Sequence, residues 1–455
     1  MKKRFSNYAA ILVLIGMTFV SGASIAEAQT TVKGKYMVLL KKNGSPAGFE
    51  SKVEALGGNI IYSHKIGYAI VEGLTGTAAA ELANDKAVME IQPDISFKLE
   101  PMWDNSTYMI QDVQPASADD PTTAYFYGYQ WNMQAINASS AWAAGKLGSP
   151  DVTLAIIDSG IDYTYPDLLG RVDLSRSISF VPEDDDLVNT NFPGKHYVTD
   201  LYLHGTHVAS TAVSNANIFA GITSQTTLIG VKVCGWEGDC SFGNIFTGLL
   251  YAADMGADVA NMSLGAYFTK NAAGRFVGFT NSIFNYVNRL GMTVVVSAGN
   301  AGLDLDHDSN SYKLFCNTPS TICVSATGPT SAVANNIYDG PWYDVDALAS
   351  YSNYGRSAIN VAAPGGNDGG LIIGACSQTS LFFPICRTGT YILYGAGTSM
   401  AAPHVSGLAA LLVEQVGRNP GRIKTLIQQS ADDLGQPGTD PAYGKGRINV
   451  GNAVN

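Results

Sequence analysis

Between residues 129 and 330, short unbroken apolar runs rich in β-branched side chains alternate with segments of helical spacing. Residues 152–157, 228–233, 259–262, 293–296 and 323–326 are the apolar runs, and 208–213, 244–255 and 281–290 are the helical segments between them. A run that is apolar at every position has no wet face, so each strand must be covered on both sides. Such strands separated by helices predict an α/β fold with a parallel sheet between helical layers. Sites in such folds gather beyond the carboxyl ends of the strands. Residues 401–416 form a longer segment, helical in character and too apolar to lie on a surface.

The first hundred residues carry a different pattern. Residues 36–40 predict a strand, 46–56 an amphipathic helix, 59–72 two β halves around Lys65, 77–85 a second helix and 88–97 a closing strand. This β-α-β-β-α-β order predicts a small ferredoxin-like α+β unit over residues 35–98. Residues 99–124 are polar, contain Pro101, Pro115, Pro121 and the pair Asp119-Asp120, and follow no period, so they predict a linker. At the start, Met1-Lys2-Lys3-Arg4 is basic, residues 9–20 are apolar, and Ala26-Glu27-Ala28 offers small residues to a signal peptidase. Residues 1–28 therefore predict a secretory signal cut after Ala28, its apolar run being short for a membrane span. No later segment is long and apolar enough to span, so the expected mature protein is secreted, extracellular or periplasmic, and free of the membrane.

Composition sharpens this picture in two places. The formal net charge is −11, and from residue 124 onward 16 Lys and Arg face 25 Asp and Glu, a difference of −9. That balance disfavours nucleic acid as a partner. The six cysteines fall in three close pairs: Cys234 with Cys240, Cys316 with Cys323, and Cys376 with Cys386. An even count in an exported chain reads as disulfides, and although six allow fifteen connectivities, local pairing is expected because each pair brackets a loop. Zinc is a poor rival, since no Cys-x-x-Cys occurs and no histidine clusters with the thiols.

Candidate chemistry lies at the borders of these elements. Ser399 stands in Gly397-Thr398-Ser399-Met400-Ala401-Ala402-Pro403-His404, at the head of the most apolar helix. Backbone N–H groups and the positive dipole end converge there and favour developing negative charge. Pro403 is expected near the start of that helix, where a missing N–H costs least. Asp158 ends the run 152–157, His204 lies in Leu203-His204-Gly205-Thr206-His207-Val208-Ala209, and Asn300 closes Val296-Ser297-Ala298-Gly299-Asn300. With these four motifs in this order, the chain resembles the subtilisin-like serine proteases (peptidase family S8) along most of its length; the order Asp, His, Ser is that family's. The resemblance implies a three-layer subtilisin-like catalytic domain over 125–455. Acyl transfer assigns the roles: Ser399 attacks, His204 accepts and returns the proton, Asp158 orients the imidazole, and Asn300 donates to the oxyanion.

The resemblance further implies that residues 35–98 are an inhibitory propeptide, with maturation cleavage inside 99–124 by the enzyme itself. Protein or peptide substrates and the chain's own propeptide are then the expected partners of a monomer. Ser241-Phe242-Gly243 matches the segment that pairs with extended substrate, and Ser263-Leu264-Gly265 the segment lining the pocket for the residue before the scissile bond. Backbone pairing of this kind carries little side-chain selectivity, so broad endopeptidase activity is expected. No cofactor is implied for catalysis. Asp167 matches a family ligand for structural calcium, although the partner loop near 215–221 is short and irregular here. Asp304, Asp306, Asp308 and Asn310 alternate like the start of an EF-hand loop. Ser309 and Phe315 occupy its glycine and closing glutamate positions, so a solvated acidic loop is expected instead. Asp184-Asp185-Asp186 reads as surface charge, and His404 as a buried helix residue. Rival readings are a relative that trims or joins specific peptides, a binding protein that kept the fold, and an esterase, which the absence of Gly-x-Ser-x-Gly at Ser399 disfavours.

Overall fold

The computed structural model describes residues 30–41, 44, 46–100, 102, 106–110, 117–270, 274, 276–307 and 311–455. The expected secretory signal lies outside the described residues, as do Asp308 and Asn310 of the acidic loop. No helix among the described residues is long and apolar enough to cross a membrane.

Seven parallel strands form the central sheet, in the order Val361–Pro364, Thr321–Thr327, Thr293–Ser297, Val259–Met262, Thr153–Asp158, Thr227–Lys232 and Ile178–Ser179. Five of them stand within two residues of the predicted apolar runs. The two edge strands were not legible: Ile178–Ser179 is only two residues long, and Val361–Pro364 ends in a proline. Thr398–Val416 covers one face of the sheet, its residues from Thr398 to Val413 buried. Phe242–Asp254 and Val277–Arg289 cover the other. The layers are those of an α/β sandwich with one apolar core on each side of the sheet.

Thr30–Leu40, Phe49–Ala55, Asn59–Ser63, Tyr68–Glu72, Gly76–Ala83 and Val88–Lys98 make the N-terminal β-α-β-β-α-β unit. Its antiparallel strands run Asn59–Ser63, Tyr68–Glu72, Thr30–Leu40, Val88–Lys98 across the sheet. One face packs on its own two helices, burying Val38, Val53, Val71 and Leu82. The opposite face carries Met37, Leu39, Tyr68 and Ile70 into the core of the Phe242–Asp254 and Val277–Arg289 layer. There Tyr68 meets Phe246 and Phe279 edge-on at ring separations of 6.2 Å. Asp94, fully buried, accepts from Gly243 N at 2.8 Å at the head of the Phe242–Asp254 helix, where the dipole favours a carboxylate.

Within the stretch predicted as a patternless linker, Thr107–Ile110 forms a strand antiparallel to Thr390–Gly395. Four residues pairing with an edge supplied from nearly three hundred residues away leave no periodic signature of their own. The three local cysteine pairs are each bridged.

Candidate active site

Asp158 closes the Thr153–Asp158 strand and is fully buried; His204 opens the helix His204–Ala212, with 1% exposure. His204 Nδ1 stands 2.8 Å from Asp158 Oδ1 and 3.0 Å from Oδ2. The close approach depends on Gly205, where a Cβ would lie 2.2 Å from Gly160 O. Burial pushes the His204 imidazole toward the neutral form, but the bonded Asp158 charge, with Asp200 and Glu100, outweighs it and raises the pKa above the ordinary 6.5. His204 Nε2 is buried and has no hydrogen-bond partner among the described residues.

Ser399 lies in the first turn of Thr398–Val416. Its hydroxyl donates to Ser263 O at 3.2 Å, and Ser263 Oγ donates back to Ser399 O at 2.8 Å. The second bond answers a defect: Pro403 sits in the second turn, deeper than expected, and has no N–H to give Ser399 O. Ser263, expected to line the substrate pocket, thus also repairs the helix that carries Ser399.

Asn300 is held by its oxygen. Asn300 Oδ1 accepts from Thr398 N and Thr398 Oγ1, both at 2.8 Å, which turns the amide nitrogen toward Gly397 and the serine. A Cβ at Gly397 would come 3.3 Å from that nitrogen. Two donors, the Asn300 amide and the backbone at the helix head, therefore converge on one place.

The substrate segments are placed differently from each other. Ser96, Phe97 and Lys98 of the Val88–Lys98 strand pair antiparallel with Ser241, Cys240 and Asp239, and Leu99 N donates to Gly238 O at 2.8 Å. The paired stretch is thus Gly238 to Ser241, earlier than the expected Ser241-Phe242-Gly243. Phe242 and Gly243 already belong to the helix, which Ser241 Oγ caps by accepting from Asn244 N. The Cys234–Cys240 disulfide ties down the paired stretch. Phe242 is buried, its ring 5.2 Å from that of Phe97. Leu264 is buried, and Gly265 O accepts from Lys313 Nζ at 3.0 Å.

Two further groups support the catalytic corner, and sequence reasoning missed both. Asp200 is fully buried and accepts from Thr206 N, Thr206 Oγ1, Ser159 Oγ and Tyr202 N, capping the helix that carries His204. Burial pushes its pKa up to about 6. Lys232, fully buried, donates to Ser159 O at 2.5 Å and pairs with Asp184 at 2.8 Å. Asp184 is 1% exposed, so its reading as surface charge is corrected: an acidic run gives no sign that one member faces a buried lysine. Lys232→Met would strand the Asp184 carboxylate in the interior and is expected to cost about 3–5 kcal/mol of stability in urea titrations. Lys232→Met with Asp184→Leu should recover part of it, because Asp184 is then no longer stranded while the buried Asp200 still loses the Lys232 charge.

The metal expectation at Asp167 does not fit. Its carboxylate is fully buried and met by donors: Ser214 Oγ at 2.9 Å, Asn217 N at 2.7 Å and Ile218 N at 3.1 Å. Calcium needs a shell of oxygen acceptors, whereas this carboxylate is ringed by hydrogens from the short 215–221 loop. Burial lifts its pKa to about 7. No group of three or more His, Cys, Asp or Glu suited to a metal occurs among the described residues. Asp304 accepts from His307 Nδ1 and from backbone N–H groups, and Asp306 from Ser357. His207 faces the carbonyls of Ile372 and Leu393, and His404 meets Met400 O through Nδ1 and Asn132 Nδ2 through Nε2; burial lowers both to about 4.

Comparison with known proteins agrees with this geometry. Residues 149–446 match the peptidase S8 subtilase family model. A thermophilic serine proteinase of Bacillus sp. strain AK1 is 35% identical over 337 residues, covering 73% of this chain and 69% of the relative. Thermitase of Thermoactinomyces vulgaris is 31% identical over 73% of this chain and 99% of its own length. Among solved structures, the epidermin leader peptide processing serine protease of Staphylococcus aureus aligns with a TM-score of 0.68 at 20% identity, covering 92% of this chain and 97% of that one. A lanthipeptide protease aligns at 0.57 with 25% identity over 72% of this chain and 94% of that one. From motif order, fold and relatives together, the chain belongs to the subtilase family and is a subtilisin-like serine peptidase.

Proposed function

We propose that this peptidase is a secreted endopeptidase made as a self-processing precursor. Ser399 is the nucleophile, His204 the base, Asp158 its orienting partner and Asn300 the oxyanion donor. The relay requires the Ser399 hydroxyl to leave Ser263 O for the unpartnered His204 Nε2; active-site hydrogen bonds often tighten only with substrate bound. Attack gives an acyl-enzyme, the imidazolium returns its proton to the leaving amine, and water repeats the sequence. Residues 35–98 act as inhibitor and folding template, and the enzyme cuts itself free within 99–124, leaving a monomer over 125–455.

The observation that carries this reading is the course of residues 96–100, laid as an added strand along Gly238–Ser241 and ending with the Glu100 carboxylate accepting from the Asn300 backbone N–H. A substrate would lie the same way. The test is covalent labelling of the processed enzyme with phenylmethylsulfonyl fluoride. One adduct on the peptide bearing Ser399, with loss of casein hydrolysis, is expected; an active enzyme labelled elsewhere sinks the assignment.

A second reading, trimming of one specific peptide, is favoured by the structural neighbours that process leader peptides and lanthipeptides. Casein or gelatin clearance supports the first; activity confined to one peptide sequence supports the second.

A further inference from the structure

A buried cation lies against Ser263-Leu264-Gly265, the segment that the family resemblance assigns to the pocket for the side chain before the scissile bond. Lys313 ends the Ser311–Lys313 strand with its side chain 1% exposed, while Nζ donates to Gly265 O at 3.0 Å and lies 4.2 Å above the Tyr267 ring. Tyr267 Oη is fixed by Asn353 Nδ2 at 2.7 Å. The wall beside it is bare backbone: a Cβ at Gly299, where φ is 97°, would lie 2.1 Å from Tyr267 Oη and 2.9 Å from Lys313 Nζ. The occupant is Glu100. Its Oε1 meets Lys313 Nζ at 2.5 Å and its Oε2 accepts from Asn300 N at 2.8 Å.

We propose that Lys313 makes this an acid-selective peptidase, one that prefers glutamate immediately before the bond it cuts. The inference rests on the endopeptidase reading above and narrows the broad selectivity expected from backbone pairing alone. An ammonium donates in three directions. One goes to Gly265 O and one faces the Tyr267 ring, and the third requires an acceptor when the pocket is filled. A glutamate supplies it with opposite charge. A leucine or phenylalanine would strip water from the cation and return nothing, and a lysine would bring like charge against it. Depth favours glutamate over aspartate, because the substrate backbone is pinned by strand pairing and a side chain one carbon–carbon bond shorter stops about 1.5 Å away. Glutamine fits the same space without the charge, so it isolates the electrostatic part.

The test measures kcat/KM of the processed enzyme on five 4-nitroanilides, Phe-Lys-Leu-X, with X as Glu, Asp, Gln, Leu or Lys. The first three residues copy Phe97, Lys98 and Leu99, and the anilide removes any influence of the following residue, which is Pro101 in the chain. Glu is expected to exceed Gln by about 50-fold and Leu by about 100-fold, within the range of coupled charges at interfaces. In Lys313→Gln the ratio of the Glu rate to the Leu rate should fall to a few-fold, Lys313→Arg should keep that ratio, and Lys313→Glu should move the preference to Lys. If the wild type cuts Leu or Gln as fast as Glu, the acid preference is overturned while the peptidase stands; hydrolysis of none of the five overturns both. Should the Lys313 variants fail to fold, the wild-type ranking alone decides.

Discussion

The Ser399→Ala chain is expected to keep its N-terminal unit and to hydrolyse casein about a millionfold more slowly than the wild type. The magnitude follows from loss of the atom proposed to form the acyl bond, with oxyanion donors and substrate binding left to supply the residue of catalysis. Folding should be little affected. The hydroxyl contributes one 3.2 Å bond to Ser263 O, and the bond that repairs the helix, Ser263 Oγ to Ser399 O, uses the backbone and survives. Electrophoresis of parallel expressions distinguishes the outcomes: a shortened wild type beside a full-length variant supports self-processing. A shortened alanine variant would remove Ser399 from its role.

Asp158→Asn should lower kcat by about 10⁴ near neutrality, because an amide presents the wrong partner to His204 Nδ1 and favours the unproductive tautomer. The pH profile carries a second signature. With Glu100 in place the Asp158 charge, outweighing burial, raises the His204 pKa, so that charge moves the acid limb of activity upward. The stability that the imidazolium–carboxylate pair contributes has the opposite course: it is fully present below 6.5 and lost as the pH rises through the raised folded value. Activity therefore appears as that increment of stability disappears. Removing the charge should shift the acid limb downward, and departure of Glu100, which also raises His204, should shift it in the same direction on maturation. An unchanged acid limb in Asp158→Asn would mean that another group controls it.

The relation between the N-terminal unit and the catalytic domain follows from the same chemistry. Asp94 at the head of the Phe242–Asp254 helix and the Tyr68 contacts with Phe246 and Phe279 hold a sheet against two helices. Only the end of its last strand and the two residues after it, Ser96 to Glu100, enter the site. In the proposed reading, inhibition and selectivity meet in these five residues, while the rest of the unit supplies area.

Much of this was written locally. A strand buried on both faces must be apolar throughout, so the five inner strands are legible, and so is the buried helix behind Ser399. Asp158, Ser399 and Asn300 were legible because each sits where a strand ends or a helix begins, places where backbone direction and exposed dipoles leave a sequence signature. His204 was recognisable from its motif at a helix start. The local cysteine pairs needed only short loops. What tertiary structure alone decided is the partner of each isolated charge. Lys232 and Asp184 lie 48 residues apart, and Lys313 and Glu100 more than two hundred; no period or spacing links them. The calcium expectation failed at Asp167 for the same reason, since a carboxylate's identity says nothing about whether hydrogens or oxygens will surround it. Sequence determines which backbone is buried through burial's periodicity, whereas the sign of the charge facing a buried group depends on chain crossings that periodicity does not record.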